Sequence, residues 1–302
     1  MGYTADELLT AVRDSGLLPS SEESAQSTKL LALMNREQRL YLAQLLLSAR
    51  ESYQVTSVDT SVALGATRVR LPSKAIGAAI KRVEKVQSNG DLALLTPFND
   101  DRKDERGQFS GPGDYYLEGN HLVFFEALAA AATLRITYFR RMNTLVLAES
   151  AGRVASFNSG AKTVTLTSVP TGWSGTQSYD VIQGSPHFDT LAASESASLA
   201  GSVLTFTNAL PSELAVGDYV ALAGETPICQ APLELHDVLV ARTTYMWVKA
   251  KGDPKVSVAK EALDEVRALA LSLIQPRVTS SAKPLINFNA PGWNRTRRRW
   301  GL

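Results

Sequence analysis

Apolar positions recur at helical spacing at both ends of this 302-residue chain and at strand spacing between them. Near the start, Thr4 with Glu7 three positions on has the form of a capping box. Leu8, Leu9 and Val12 make one stripe behind it, and Gly16 with Pro19 closes the helix. A second helical stretch covers about Gln26 to Met34. Asn35, with Gln38 three positions later, reads as the N-cap of a helix running to about Ser52. There Leu42, Leu45, Leu46 and Ala49 share a face while Arg36, Glu37, Arg50 and Glu51 stay polar.

From Tyr53 to about Glu225 the segments are short, β-branched and cut by turns. Val69-Arg70-Leu71 runs into Pro72, a helical or irregular piece follows over Ser73 to Ile80, and Lys81 to Val86 alternates again. The charged, glycine-bearing run Asp100 to Gly113 reads as a loop. Tyr115 to Glu118 and His121 to Phe124 flank Gly119-Asn120, a two-residue hairpin signal. Leu134, Ile136 and Tyr138 alternate with Arg135 and Thr137 as in a half-exposed strand. Further strands are expected at Thr163 to Thr167, Tyr179 to Ile182, Val203 to Thr207 and Tyr219 to Leu222, with the Ser/Ala tract from Leu191 to Ser202 as a loop beside them. Their spacing suits a small antiparallel barrel or sandwich.

Helix returns after Pro232, with Leu235, Val238, Leu239, Arg242, Tyr245, Met246 and Lys249 along one side and Gly252 as the stop. Asp253-Pro254 opens the next helix, which carries Ala259, Ala262, Leu263, Val266, Leu269, Ala270 and Leu273. Amphipathic helices at both ends each need an apolar partner, and packing on one another supplies it. The expected fold class is α+β, a helical bundle with an inserted antiparallel β domain. The expected boundaries are residues 1–52 and 226–275 for the helices, 53–225 for the β region, and 276–302 for an extended C-terminal arm.

The arm is the part that no packed element explains. It has no period of 3.6 or 2, and Pro284, Pro291 and Gly292 disfavour helix. Yet it keeps Phe288, Trp293 and Trp300 and ends in Arg295, Arg297, Arg298 and Arg299. Aromatics and arginines dominate the energetics of buried contact centres, so these seven residues are the candidate binding residues. A disordered terminus is the plainer alternative.

Composition bounds the remaining possibilities. The apolar and charged fractions are those of an ordinary globular protein, and a net charge of +1 argues against a surface built throughout to grip nucleic acid. Cys229 is the only cysteine, so an intrachain disulfide is excluded and a reducing compartment is expected. No secretory signal and no apolar run of bilayer length are read from the chain, which is expected to be soluble and to touch no membrane.

Few residues of the chain stand in a pattern that carries chemistry. His121, His187 and His236 stand apart from one another and from Cys229, without metal-ligand spacing. Ser159-Gly160-Ala161-Lys162-Thr163 lacks the Gly-Lys-Thr of a phosphate-binding loop and reads as a hairpin turn. Gly172-Trp173-Ser174-Gly175 lacks the order of a nucleophile elbow. Asp100, Asp101, Asp104 and Glu105 are mixed with Arg102, Lys103 and Arg106, as in a solvated loop. The expectation is a protein that is not an enzyme and takes no cofactor and no metal. An enzyme built on the β region would need two facing carboxylates in a cleft.

Several segments taken together resemble the head-to-tail adaptor (connector, or neck) proteins of tailed bacteriophages. They are LLLSARESYQV, RVRLPSKAIG, the pair YYLEGNHLVF and LRITYFRR, and GDYVALAGETPICQAPLELHDVLVAR, in that order between about Leu30 and Arg242. The resemblance implies a helical core with an inserted β domain and a closed ring, usually dodecameric. It also implies docking beneath the portal protein, continuation by a stopper or tail protein, and DNA passing through the channel without specific binding. Such families carry no active site, and the implied location is the virion neck, assembled in the host bacterial cytoplasm. The arm lies outside these segments. Its expected role is to lie in a portal groove, with Trp293 and Trp300 in apolar pockets and Arg295, Arg297, Arg298 and Arg299 paired with portal carboxylates. The alternative use of the same residues is a nucleic-acid-binding module.

Overall fold

The capping box at Thr4 forms: its Oγ1 accepts from Glu7 N at 3.3 Å while Glu7 Oε2 accepts from Thr4 N at 2.7 Å. The structure is a computed structural model that describes residues 4–17, 27–98, 114–185 and 188–274. Helix α1 (Ala5–Asp14) buries Leu8, Leu9 and Val12, and Gly16 follows it at φ +68°. Helix α2 (Ser27–Glu37) passes through a π turn, Gln38–Leu42, directly into α3 (Ala43–Arg50). Asn35 is therefore inside a helix and is not an N-cap. Its amide is taken by a distant backbone instead: Nδ2 donates to Leu145 O at 2.9 Å and Oδ1 accepts from Leu145 N at 2.7 Å.

Among the described residues seven strands follow: β1 (Val55–Val62), β2 (Arg68–Arg70), β3 (Ala75–Val86), β4 (Leu92–Leu95), β5 (Tyr115–Glu118), β6 (His121–Phe124) and β7 (Ala132–Arg140). They form one sheet of order β1-β7-β3-β4 and a second of order β2-β6-β5. Both sheets turn Val69, Val83, Leu122, Leu134, Ile136 and Tyr138 into one core. The Gly119-Asn120 hairpin is present, with Glu118 opposite His121. The piece expected to be helical or irregular, Ser73 to Ile80, is strand from Ala75 onward. Its register against β7 breaks between Ala75 and Ile80 and again before Arg82, and Gly77 sits there at φ +55°. A bulged strand loses strict alternation, which is why the pattern misleads.

A short strand β8 (Thr144–Leu145) leads to β9 (Gly152–Asn158), β10 (Thr163–Leu166), β11 (Thr176–Ile182), β12 (Thr190–Ala200), β13 (Val203–Phe206), β14 (Tyr219–Leu222) and β15 (Glu225–Thr226). Strands β9 to β14 close into a barrel of order β10-β13-β12-β11-β14-β9. The Ser/Ala tract expected as a loop is β12, paired with β11 on one side and β13 on the other. Closure supplies both partners, so weak intrinsic strand preference is overridden by the pairing around it. The barrel core holds Val154, Val164, Trp173, Tyr179, Leu204 and Val220, separate from the core of the first two sheets.

Helix α4 (His236–Lys251) ends at Gly252, in the left-handed region at φ +66°. Asp253 Oδ1 then accepts from Lys255 N at 2.8 Å at the start of α5 (Val256–Ile274). The spacing puts Leu235, Val238, Leu239, Arg242, Tyr245, Met246 and Lys249 along one side of this helix, and of these only Leu235, Val238 and Leu239 are buried. Helix α4 also buries Thr243, Thr244, Trp247 and Val248 because α1, α2 and α5 all pack on it. Leu8, Leu30, Leu46, Leu239, Leu263 and Ile274 belong to one cluster, so helices from both ends of the chain share a core. The fold is thus α+β, mixed helix and strand around a six-stranded barrel. Among the described residues no helix is long and apolar enough to cross a membrane.

Candidate functional site

The three packed regions meet at one buried carboxylate. Asp180, on β11, is fully buried and accepts from Lys74 Nζ, Asn143 Nδ2 (2.8 Å), Ser194 N (2.7 Å) and Gly224 N (2.9 Å). Lys74 comes from the turn between β2 and β3, Asn143 from the segment entering β8, and Ser194 from the bulge of β12, where its φ of +57° turns the amide inward. A buried charge survives only when paired and hydrogen-bonded, and here every partner belongs to a different stretch of chain.

Asn143 carries the link to the helices. Its backbone O accepts from Gln38 Nε2 at 2.7 Å, Gln38 being the first residue of the π turn. Its backbone N donates to Gln230 Oε1 at 3.1 Å, and Gln230 Nε2 donates to Thr190 Oγ1 at 2.7 Å. π turns occur often where a helix makes a special contact, and this one serves the junction. A second, partly buried pair lies on the helices. Glu37 Oε2 accepts from Arg242 Nε at 2.8 Å, and that guanidinium sits 4.4 Å from the Tyr41 ring centroid.

Above Gln230 and Thr190 opens a cleft of about 850 Å³ between the first sheet, the barrel and the start of the helical region. Arg140, Asp189, Glu213 and Glu234 bring charge to it, and Tyr53, Leu191, Pro211, Pro232 and Leu233 give it apolar walls. Arg140 Nη2 stands 3.5 Å from Asp189 Oδ1.

His236 lies behind this cleft, its ring beside that of Phe188. His236 Nε2 lies 3.1 Å from the carbonyl oxygens of both Cys229 and Ala231. Carbonyls only accept, so Nε2 carries the proton. Burial holds the His236 imidazole below its ordinary pKa, against the opposing pull of those carbonyls and of Asp237 and Glu234. Burial also pushes the Cys229 thiol up to about 12, so it stays protonated. A histidine whose folded pKa is depressed binds its proton more readily when unfolded. Its contribution is complete above the unfolded pKa of about 6.5 and is lost as pH falls below that toward the folded value. Urea denaturation between about pH 7 and pH 5 is expected to show falling stability, with a shallower slope in His236→Gln. Equal slopes would remove His236 as the cause.

Helix α5 presents a second apolar stripe beside its buried one. Ala259, Leu263, Ala270 and Ile274 face the core, while Val258, Leu269 and Leu273 are 54%, 60% and 62% exposed. Ala262 lies exposed in the same row. A helix apolar over such a wide sector is one expected to be covered on more than one side.

The candidate binding residues Phe288, Trp293, Arg295, Arg297, Arg298, Arg299 and Trp300 lie outside the described residues, as do His187 and the charged loop around Asp100 to Gly113. His121 is half-buried on β6, the Ser159 to Thr163 segment is the β9–β10 turn, and Trp173 packs 4.8 Å from Tyr179 inside the barrel. Among the described residues no three His, Cys, Asp or Glu side chains are placed to hold a metal ion. The sequence carries no local signal for the Asp180 junction, because Lys74, Asn143 and Asp180 share no spacing or motif. No protein-family model matches the chain, and no curated protein matches it.

Proposed function

We propose that the protein is a structural virion component, a head-to-tail adaptor of a tailed bacteriophage that closes into a dodecameric ring beneath the portal and surrounds the DNA channel. In this reading the helices form one bundle with the β region inserted, and the stopper or tail proteins continue from the ring. The observation that carries it is the outward stripe Val258, Ala262, Leu269 and Leu273 on α5, a surface suited to the head-to-tail contact of a closed ring. A net charge of +1 suits a channel through which DNA must slide, since each neutralised phosphate would add affinity. The arm, with Trp293, Trp300 and the arginines from Arg295 to Arg299, supplies the portal contact.

The test is the mass of the purified chain, alone and mixed with a candidate portal. Wild type is expected to form a ring, either alone or on the portal. Leu269→Lys with Leu273→Lys is expected to leave a folded monomer with unchanged circular dichroism. Deleting residues 277–302 is expected to abolish portal binding. A wild-type chain that stays monomeric with every portal offered would reject the adaptor reading.

A further inference from the structure

We infer that the cleft between β1, β12 and the Pro232 to Glu234 wall receives the arginine-rich end of the same chain's own arm, the segment around Arg297 to Trp300. Three observations converge on it. First, α4 and α5 form a hairpin joined by a short connection, so they run antiparallel and the last turn of α5 lies beside the first turn of α4. Helix α5 packs on the turn Leu233–Leu235, and Ile274 shares a core cluster with Leu235. The chain therefore leaves its last described helix alongside the wall of the cleft.

Second, the charges match. Residues 276–302 contain Arg277, Lys283, Arg295, Arg297, Arg298 and Arg299 and no Asp or Glu. The cleft offers Asp189, Glu213 and Glu234 against Arg140, which already stands by Asp189. Glu213 and Glu234 are exposed and available to a guanidinium, whose planar fork pairs with a carboxylate through two parallel donors.

Third, the walls suit aromatics. Tyr53 is 47% exposed and Leu233 43% exposed, and prolines 211 and 232 stand with them. A volume of about 850 Å³ is in the range of pockets that bury a compact ligand, enough for a short Trp/Arg segment and too small for the whole arm. The intervening residues can span up to about 3.3 Å each, so reach does not limit the contact. Tethering also sets an effective concentration on the order of millimolar, which favours the chain's own segment over one from solution. Seated there, the same Trp and Arg side chains are withheld from other partners until something displaces them.

The inference needs neither a ring nor a portal, and its test uses neither. In the full chain, Ser212→Cys in the cleft and Thr296→Cys in the arm are treated with a short bis-maleimide, the buried Cys229 remaining out of reaction. A cross-link within one chain, located by peptide mass spectrometry, is expected. Reversing Glu213 and Glu234 to Arg is expected to lower its yield about tenfold through loss of two ion pairs. Reversing Arg295, Arg297, Arg298 and Arg299 to Glu in the same protein is expected to restore it. A pair with Asn89→Cys, on the remote β3–β4 turn, gives the background for random collision. A yield at that background, a yield indifferent to charge reversal, or cross-links formed only between chains would each overturn the inference.

Discussion

Asp180→Ala is expected to destabilise the protein by about 3–5 kcal/mol, the cost of leaving a partly buried ammonium and three further donors without their common acceptor. The substitution strands Lys74 Nζ, Asn143 Nδ2 and the amides of Ser194 and Gly224 at once, in a place with little access for water. Lys74→Met should cost less, about 1–3 kcal/mol, because Asp180 keeps its other three donors and Lys74 is itself partly solvated. The order of the two effects is the informative part. Urea denaturation followed by circular dichroism measures both, and equal losses would show that the ion pair alone, not the set of amides, holds the junction. Asp180 also ties the barrel to the first sheets and, through Asn143 and Gln38, to the helices. Calorimetry of Asp180→Ala is accordingly expected to show a broadened or divided transition where wild type shows one.

Tyr179→Ala is the second large effect, expected at about 3–5 kcal/mol for removing a fully buried aromatic. Tyr179 is among the largest fully buried side chains and packs on Trp173 at 4.8 Å between ring centroids, so its loss leaves a cavity that a closed barrel cannot collapse to fill. Its hydroxyl donates to Gln177 Oε1 at 3.2 Å, and Tyr179→Phe should therefore cost only about 1 kcal/mol. Similar losses for Ala and Phe would place the stabilisation in the hydroxyl and refute the packing account. Trp173 fluorescence is expected to shift to the red in the alanine variant, reporting water at the barrel core.

Legibility in the sequence followed the range of the interactions. Features settled within a few residues were readable: the Thr4–Glu7 box, the Gly119-Asn120 hairpin, the Gly252 stop and the Asp253 cap. Features settled at long range were not. Asn35 and Gln38 satisfy the local grammar of a helix start, yet their amides are spent on Leu145 and Asn143, more than a hundred positions away. The Ser/Ala tract lacks the β-branched signature of a strand and becomes one because β11 and β13 both need a partner. The cleft is the same case on a larger scale: Tyr53, Arg140, Glu213 and Glu234 are brought together by topology alone. On α5, Ala262, Leu269 and Leu273 stand at helical spacing with the buried residues in the sequence, and nothing local marks them as the ones left uncovered.

The barrel's two ends lie next to each other: β8 before it pairs with β15 after it, Leu145 beside Thr226. Residues added in the barrel's outer loops leave the distance across the attachment unchanged. The segment is therefore a cassette, in which loops such as that carrying Gly172 to Gly175 can lengthen or be exchanged while the helical core keeps its own geometry.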